Sequence, residues 1–243
     1  LMTMLTTHVG SLPRSKKLSD LLFKKETNKI YDETTFNQVV KDSVFEVVKK
    51  QKEVGIDIIS DGEMSKISYA TYVKDRYNGF AGDSPRNAPS DLKRFPGYLK
   101  KLADSGGTPT YSRPCCVSKI SSKGNSELIT DIKNLKDAMK KINLSKGFMN
   151  SASPGVISLF LANSFYKTRT EYLVAISEAM EKEFNLIANS GLNLQLDCPD
   201  LALSRHMIFS DLSDKEFIKI ASENMEILNY RLRKIDPSKL RMH

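Results

Sequence analysis

The 243 residues are 40% hydrophobic and 27% charged, contain no tryptophan and carry a formal charge of +8, the composition of a soluble globular chain with ample material for a buried core. Its longest apolar stretch, residues 156–162, is interrupted by Ser158 and too short to span a bilayer, and the N-terminal residues lack the basic-then-apolar pattern of a signal peptide. Three cysteines, two of them adjacent (Cys115 and Cys116), make no disulfide framework, so a reducing cytoplasm is expected. The lysines are scattered in pairs such as Lys49-Lys50 and Lys140-Lys141, which reads as a solvated surface; neither a nucleic acid nor a membrane is expected as a partner.

In chain order, a first strand is expected at residues 4–9, opening into Gly10-Ser11-Leu12-Pro13-Arg14. Phe36, Val39, Val40, Val44, Val47 and Val48 then form a helical stripe over residues 33–54. Gly55 punctuates a second strand, 56–60, which stops on Asp61-Gly62-Glu63. A short helix is expected within 64–77. Residues 79–112 are rich in Gly, Pro, Asp and Ser, and so long a connection suits an excursion that covers a site.

A third strand is expected at 115–120, a helix at 126–141, a fourth strand at 147–151 and a helix at 169–190. A fifth strand at 192–196 stops on Asp197-Cys198-Pro199-Asp200. A helix at 214–234 follows, capped by Ser213 or Asp214, and a sixth strand starts at Leu240. Alternating strands and helices predict an α/β fold, a TIM-type (β/α)8 barrel cut short after about five βα units and the start of strand six. The expected organisation is one incomplete barrel domain over residues 1–243. The chain begins with Leu and stops soon after a strand lead-in, which reads as a fragment.

Carboxylates gathered at the carboxyl ends of parallel strands are the layout of an α/β-barrel active site. The candidates are His8, Gly10 and Ser11 on strand one, Asp61 and Glu63 on strand two, and Arg113 and Ser118 on strand three. Strand four offers Ser151 and Ser153, and strand five Asp197, Asp200 and, further on, His206. Asp61 and Asp200 read equally well as helix caps, and His206 as a structural side chain.

The segments Thr7-His8-Val9-Gly10-Ser11-Leu12-Pro13-Arg14, Ser60-Asp61-Gly62-Glu63-Met64, Ser153-Pro154-Gly155-Val156 and 194–202 together resemble the cobalamin-independent methionine synthase family. They are most similar to the shorter single-barrel relatives of its catalytic C-terminal domain. The resemblance implies that Gly10 and Ser11 contact an amino-acid thiol, and that Glu63 and Asp197 hold its amino group. It also implies a Zn2+ cofactor whose His-x-Cys ligand pair starts at His243; the matching Cys would be residue 245, beyond this chain. Where longer members read Asp-Glu-Pro, this chain has Asp197-Cys198-Pro199, and Cys198 is expected to be a small buried residue.

The implied activity is zinc-dependent S-methyl transfer from a methyl-tetrahydrofolate-like donor to a homocysteine-like thiol, in methionine biosynthesis. Zinc would lower the thiol pKa and present it as thiolate. The fragment itself is expected to be inactive, since it holds one ligand of a site that needs three. Alkyl or epoxide transfer to coenzyme M, or a non-catalytic ligand-binding barrel, are the alternative readings. Arg86, Lys93 and Arg94 in the excursion are candidates for meeting a polyglutamate tail, although solvated loop charge accounts for them as well.

Overall fold

In the computed structural model of the chain, residues 4–84, 92–104 and 113–243 are described. Helices α1 (Lys16–Glu26), α2 (Glu33–Glu53) and α3 (Val73–Arg76) precede strand β1 (Tyr77–Ala81). Helix α4 (Pro96–Asp104), strand β2 (Cys115–Ser122), helix α5 (Ser126–Lys141), strand β3 (Phe148–Ala152) and helix α6 (Pro154–Phe160) follow. The chain then runs through α7 (Arg169–Asn189), β4 (Asn193–Asp197), α8 (Leu203–Met207), α9 (Asp214–Leu232) and β5 (Leu240–Met242).

A parallel arc organises these elements. Thr7 bridges Ile58, Ile59 bridges Gly147, β3 pairs with β4 and β4 with β5, all parallel and in sequence order. All five residues of β3 are buried, as expected for a parallel strand covered on both faces. The covering helices present the stripes that their spacing predicts: Phe36, Val40, Val44 and Val48 on α2, and Tyr172, Leu173, Ile176, Met180, Phe184 and Ile187 on α7 are all buried. Gly55 and Gly191 end their helices at φ of 80° and 92°, a conformation that residues with a Cβ disfavour. Ser213 caps α9 with a reciprocal capping box to Glu216.

The arc departs from expectation at the third strand. Residues 115–122 do form a strand, but β2 pairs antiparallel with β1 in a hairpin, and its bridge to Asn163 ties it to the turn after α6. The stretch expected as strand four, β3, therefore follows strand two directly. Among the described residues the parallel run has five segments, the last being β5, in place of the five units and start of a sixth that the sequence suggested. The physical signal lies in burial: five of the eight residues of β2 are exposed, whereas a central parallel strand is apolar on both faces.

The short helix expected in 64–77 is confined to α3, while α1, α4, α6 and α8 were not anticipated. Much of the 79–112 excursion lies outside the described residues, including Arg86 and the side chain of Lys93; Arg94 is exposed. Among the described residues no helix is long and apolar enough to cross a membrane. All three cysteines are free thiols.

Candidate functional site

Five sequence-predicted residues meet in one pocket. Gly10, Ser11, Glu63, Asp197 and His243, with Val9, Tyr69 and Pro199, line a cavity of about 330 Å³ at the carboxyl end of the arc. They come from the ends of four of the parallel segments or the turns after them, Gly10 and Ser11 sharing the first, so the strands alone bring them together.

The turn that delivers Glu63 is tightly specified. Gln51 pins Ser60 from α2, donating to its carbonyl at 2.8 Å and accepting from its amide at 3.0 Å. Ser60 Oγ then accepts from Gly62 N, and Asp61 Oδ1 accepts from Glu63 N at 3.0 Å. The Arg14 guanidinium donates to the Glu63 carbonyl at 2.8 Å. Glu63 thereby adopts φ of 56°, a left-handed conformation that costs a side-chain-bearing residue about 1–3 kcal/mol. Asp61 is thus a turn-former, and burial pushes its carboxyl up despite the nearby Lys66.

The Glu63 carboxylate is buried and clamped at both oxygens. Ser11 Oγ donates to Oε2 at 2.6 Å and Asn150 Nδ2 to Oε1 at 2.6 Å. Asn150 Nδ2 also donates to Asp197 Oδ2 at 2.8 Å, while Gln195 Nε2 donates to Asp197 Oδ1 at 2.8 Å and to the Val9 carbonyl at 2.6 Å. His243 Nδ1 lies 3.5 Å from Asp197 Oδ1, its backbone fixed by His243 N to Leu196 O and by Cys198 N to His243 O. Burial raises the Asp197 carboxyl, the Glu63 charge adds to it, and the Asn150 and Gln195 donations oppose it. Two ionisable oxygens face a partly apolar pocket with neutral amides behind them, an arrangement complementary to a single small cation such as an ammonium.

Gly10 lies hard against this cluster: a Cβ there would come within 2.5 Å of Glu63 Oε1. Gly10→Ala is expected to displace the carboxylate, cost about 1–3 kcal/mol of stability and weaken binding of any ammonium ligand. A thermal melt paired with ligand titration checks it, and an unchanged titration would mean that the approach to Gly10 is immaterial.

Other candidates lie elsewhere. His8 lines a separate groove against α2 with Leu12, Val39 and Met64. Ser151 donates to Glu183 at 2.7 Å, and Ser153 caps α6 through Val156 N while donating to Asp200 at 2.8 Å. Asp200 also accepts from Asn224 at 2.7 Å, and burial raises its carboxyl. Arg113 stacks on Phe160 and Ser118 is exposed on the hairpin, both displaced from the site by the pairing of β2. His206 lies on α8, apart from the pocket lining. Cys198 is buried, and its thiol is pushed up to about 12 by burial, so it stays protonated at neutral pH.

Among the described residues no three His, Cys, Asp or Glu side chains form a group able to hold a metal ion. His243 brings one imidazole to the pocket mouth, whereas catalytic zinc takes about three protein ligands and an open position. The donor set described here does not by itself fit zinc.

A family model described as "Cobalamin-independent synthase, Catalytic domain" matches residues 4–100, which include Gly10, Ser11 and Glu63. The methionine synthase of Sulfolobus acidocaldarius is 25% identical over 195 residues, covering 80% of this chain and 51% of that protein. That of Saccharolobus islandicus is 26% identical over 201 residues, covering 82% and 54%. Over these stretches the chain is similar to the cobalamin-independent methionine synthase family. It spans about half the length of the curated relatives it matches. The solved B12-independent methionine synthase of Shewanella sp. W3-18-1, in complex with selenomethionine, superposes with a TM-score of 0.68 at 20% identity, over 98% of this chain and 60% of that one; at that identity the likeness shows a shared α/β fold.

Sequence reading missed the residues behind the carboxylates, Asn150 and Gln195. The signal was available: each is an amide with large apolar neighbours in a strand, Phe148-Met149-Asn150 and Leu194-Gln195-Leu196, and a buried polar group demands a partner.

Proposed function

We propose that this chain binds the amino-acid end of a homocysteine-like thiol and orients it for S-methylation by a methyl-tetrahydrofolate-like donor, as part of a methionine-forming methyltransferase. The observation that carries this reading is the convergence of the Glu63 and Asp197 carboxylates, with Ser11, on one pocket. The ligand ammonium bridges the two acids. Val9, Tyr69 and Pro199 pack its methylenes, and the sulfur is directed toward the mouth where His243 lies. In the transfer the sulfur attacks the methyl carbon, the S–C bond forms as the donor's N–C bond breaks, and the proton lost by the thiol ends on the donor nitrogen, so that methyl and proton exchange places. Holding the amino-acid end fixed lowers the entropic part of that barrier.

The same reading takes the arc as the first part of a TIM-type (β/α)8 barrel and the chain as a cytoplasmic, soluble component. It makes His243 one ligand of a Zn2+ that would supply thiol activation when bound; two further protein ligands are required that the described residues do not gather. Calorimetric titration with homocysteine, selenomethionine and 2-mercaptoethanesulfonate tests the ligand class. The two amino acids are expected to bind, and the sulfonate thiol, repelled by two acids, to bind at least tenfold more weakly, about 1.4 kcal/mol. Preference for the sulfonate would favour coenzyme M chemistry instead. Binding of homocysteine without methyl transfer, in the longest natural form of the protein loaded with zinc, would leave a ligand-binding barrel.

A further inference from the structure

Two buried carboxylates that share one pocket repel each other, and something must hold them at a spacing one ligand can use. The Asn150 side chain, 2% exposed, sits between them. Its amide nitrogen donates one hydrogen to Glu63 Oε1 at 2.6 Å and the other to Asp197 Oδ2 at 2.8 Å. A carboxylate only accepts, so the NH2 face of the amide is the one that satisfies both contacts. With both hydrogens committed and its side chain behind the pocket lining, Asn150 acts on a ligand through the acids.

The backbone that carries Asn150 is itself fixed. It stands in register with Gln195 across the β3–β4 ladder, and its carbonyl accepts from the buried Lys66 Nζ at 2.9 Å. Gln195 clamps the outer oxygen of Asp197 and ties it to Val9, so the amide pair grips Asp197 from both sides. The tether through one nitrogen keeps Glu63 Oε1 and Asp197 Oδ2 a few ångströms apart, close enough for one ammonium, with its three donors, to meet both.

We propose that Asn150 is the positioning residue that gives this pocket its selectivity for an amine-bearing ligand, by yoking the Glu63 and Asp197 carboxylates at a spacing that one ammonium bridges. The proposal rests on the reading of the pocket as an amino-acid thiol site and names what sets its specificity. Loss of the yoke frees the acids to part, and a parted pair holds an ammonium through one contact. The rest of the pocket is untouched, so a ligand without an amine is indifferent to the change.

The test compares homocysteine with 4-mercaptobutanoate, which is homocysteine without its amino group, by calorimetry on the wild type, Asn150→Leu and Asn150→Ser, each checked for a cooperative melt. The wild type is expected to prefer homocysteine by about ten- to a hundredfold, the worth of a charge-assisted contact. Asn150→Leu is expected to bring that ratio to within a few-fold. Asn150→Ser, which can donate to one acid only, is expected to fall between them. Should the Leu variant fail to fold, the Ser variant decides by the same ratio. A merely structural role weakens both ligands in parallel; an unchanged ratio in a folded variant overturns the proposal while leaving the amino-acid site standing. A wild type without preference for the amine overturns the underlying reading as well.

Discussion

Arg76→Met will destabilise the fold by about 3–5 kcal/mol, because it strands two buried acids. The guanidinium is 6% exposed and makes a fork: Nη2 contacts Asp131 Oδ2 at 2.7 Å and Nη1 contacts Glu183 Oε2 at 2.9 Å. It also lies 4.7 Å over the Tyr72 ring, whose hydroxyl donates to Glu183 Oε1 at 2.5 Å. Three elements, α3, α5 and α7, are joined through this one side chain. For a chain of this size the loss corresponds to a fall in Tm of roughly 10 °C.

The effect will depend on pH, with a definite sign. In the wild type, burial pushes the Asp131 carboxyl up to about 6 even against Arg76; the folded state holds that proton more tightly than the unfolded one, so this group's contribution falls as pH rises from about 4 to 6. Burial works against the Glu183 charge too, but Arg76 outweighs it and lowers its pKa. Stability from Glu183 is therefore present above its unfolded value and lost as pH falls through the folded one. Without Arg76 both acids rise, and the deficit is smallest near pH 4–5, where both can be protonated, and greatest above neutrality. Denaturant melts at pH 5 and pH 8 check this. Equal deficits at the two pH values would show that lost packing, not stranded charge, is what the variant suffers.

Glu63→Gln will weaken amino-acid binding by about ten- to a hundredfold while changing the melt little, since a charge-assisted hydrogen bond is worth about 1.5–3 kcal/mol. The amide retains the size of the carboxylate and can still meet Ser11. It removes the negative charge that attracts the ligand and sets an NH2 group beside Asn150 Nδ2 or Ser11 Oγ in place of one acceptor. Relief of repulsion with Asp197 offsets part of the lost contacts in the empty protein. Titration with homocysteine reads the loss directly, and an affinity within twofold of wild type would remove Glu63 from the ligand contacts.

The sequence carried the strand ends better than the sheet order. Glu63 and Asp197 stood out because an apolar run that stops on acids needs a reason, and Gly10 because a backbone without Cβ next to a charged turn permits close approach. The long helices were legible where their apolar residues repeat at three and four, as on α2 and α7. Strand β2 was legible as a strand but not as a hairpin partner, because pairing is a tertiary choice that local periodicity does not encode. Its polar residues Ser118, Lys119, Ser121 and Ser122 were the available warning. Helix α1 was overlooked among its lysines although Ser15 accepts from Leu18 N as a cap and Leu18 and Leu22 are buried. The Arg76–Asp131–Glu183 network was invisible because its members are far apart in the chain and each, alone, resembles a surface charge.

The pocket borrows its walls from segments that no single stretch of chain contains: 9–11, Glu63, Asp197 and His243. Such a site cannot exist in a partly unfolded molecule, so occupancy and integrity of the arc are thermodynamically one property. A ligand at a hundred times its Kd adds about 2.7 kcal/mol to the free energy of opening. That increment falls on whichever cooperative unit must open to release it, which here includes both outer segments of the arc. Slowed amide exchange should accordingly spread beyond the lining to Ile58, Ile59 and Phe148, whose backbone N–H groups hold neighbouring segments together: the ligand would behave as a clasp, and exchange protection would map which segments open together.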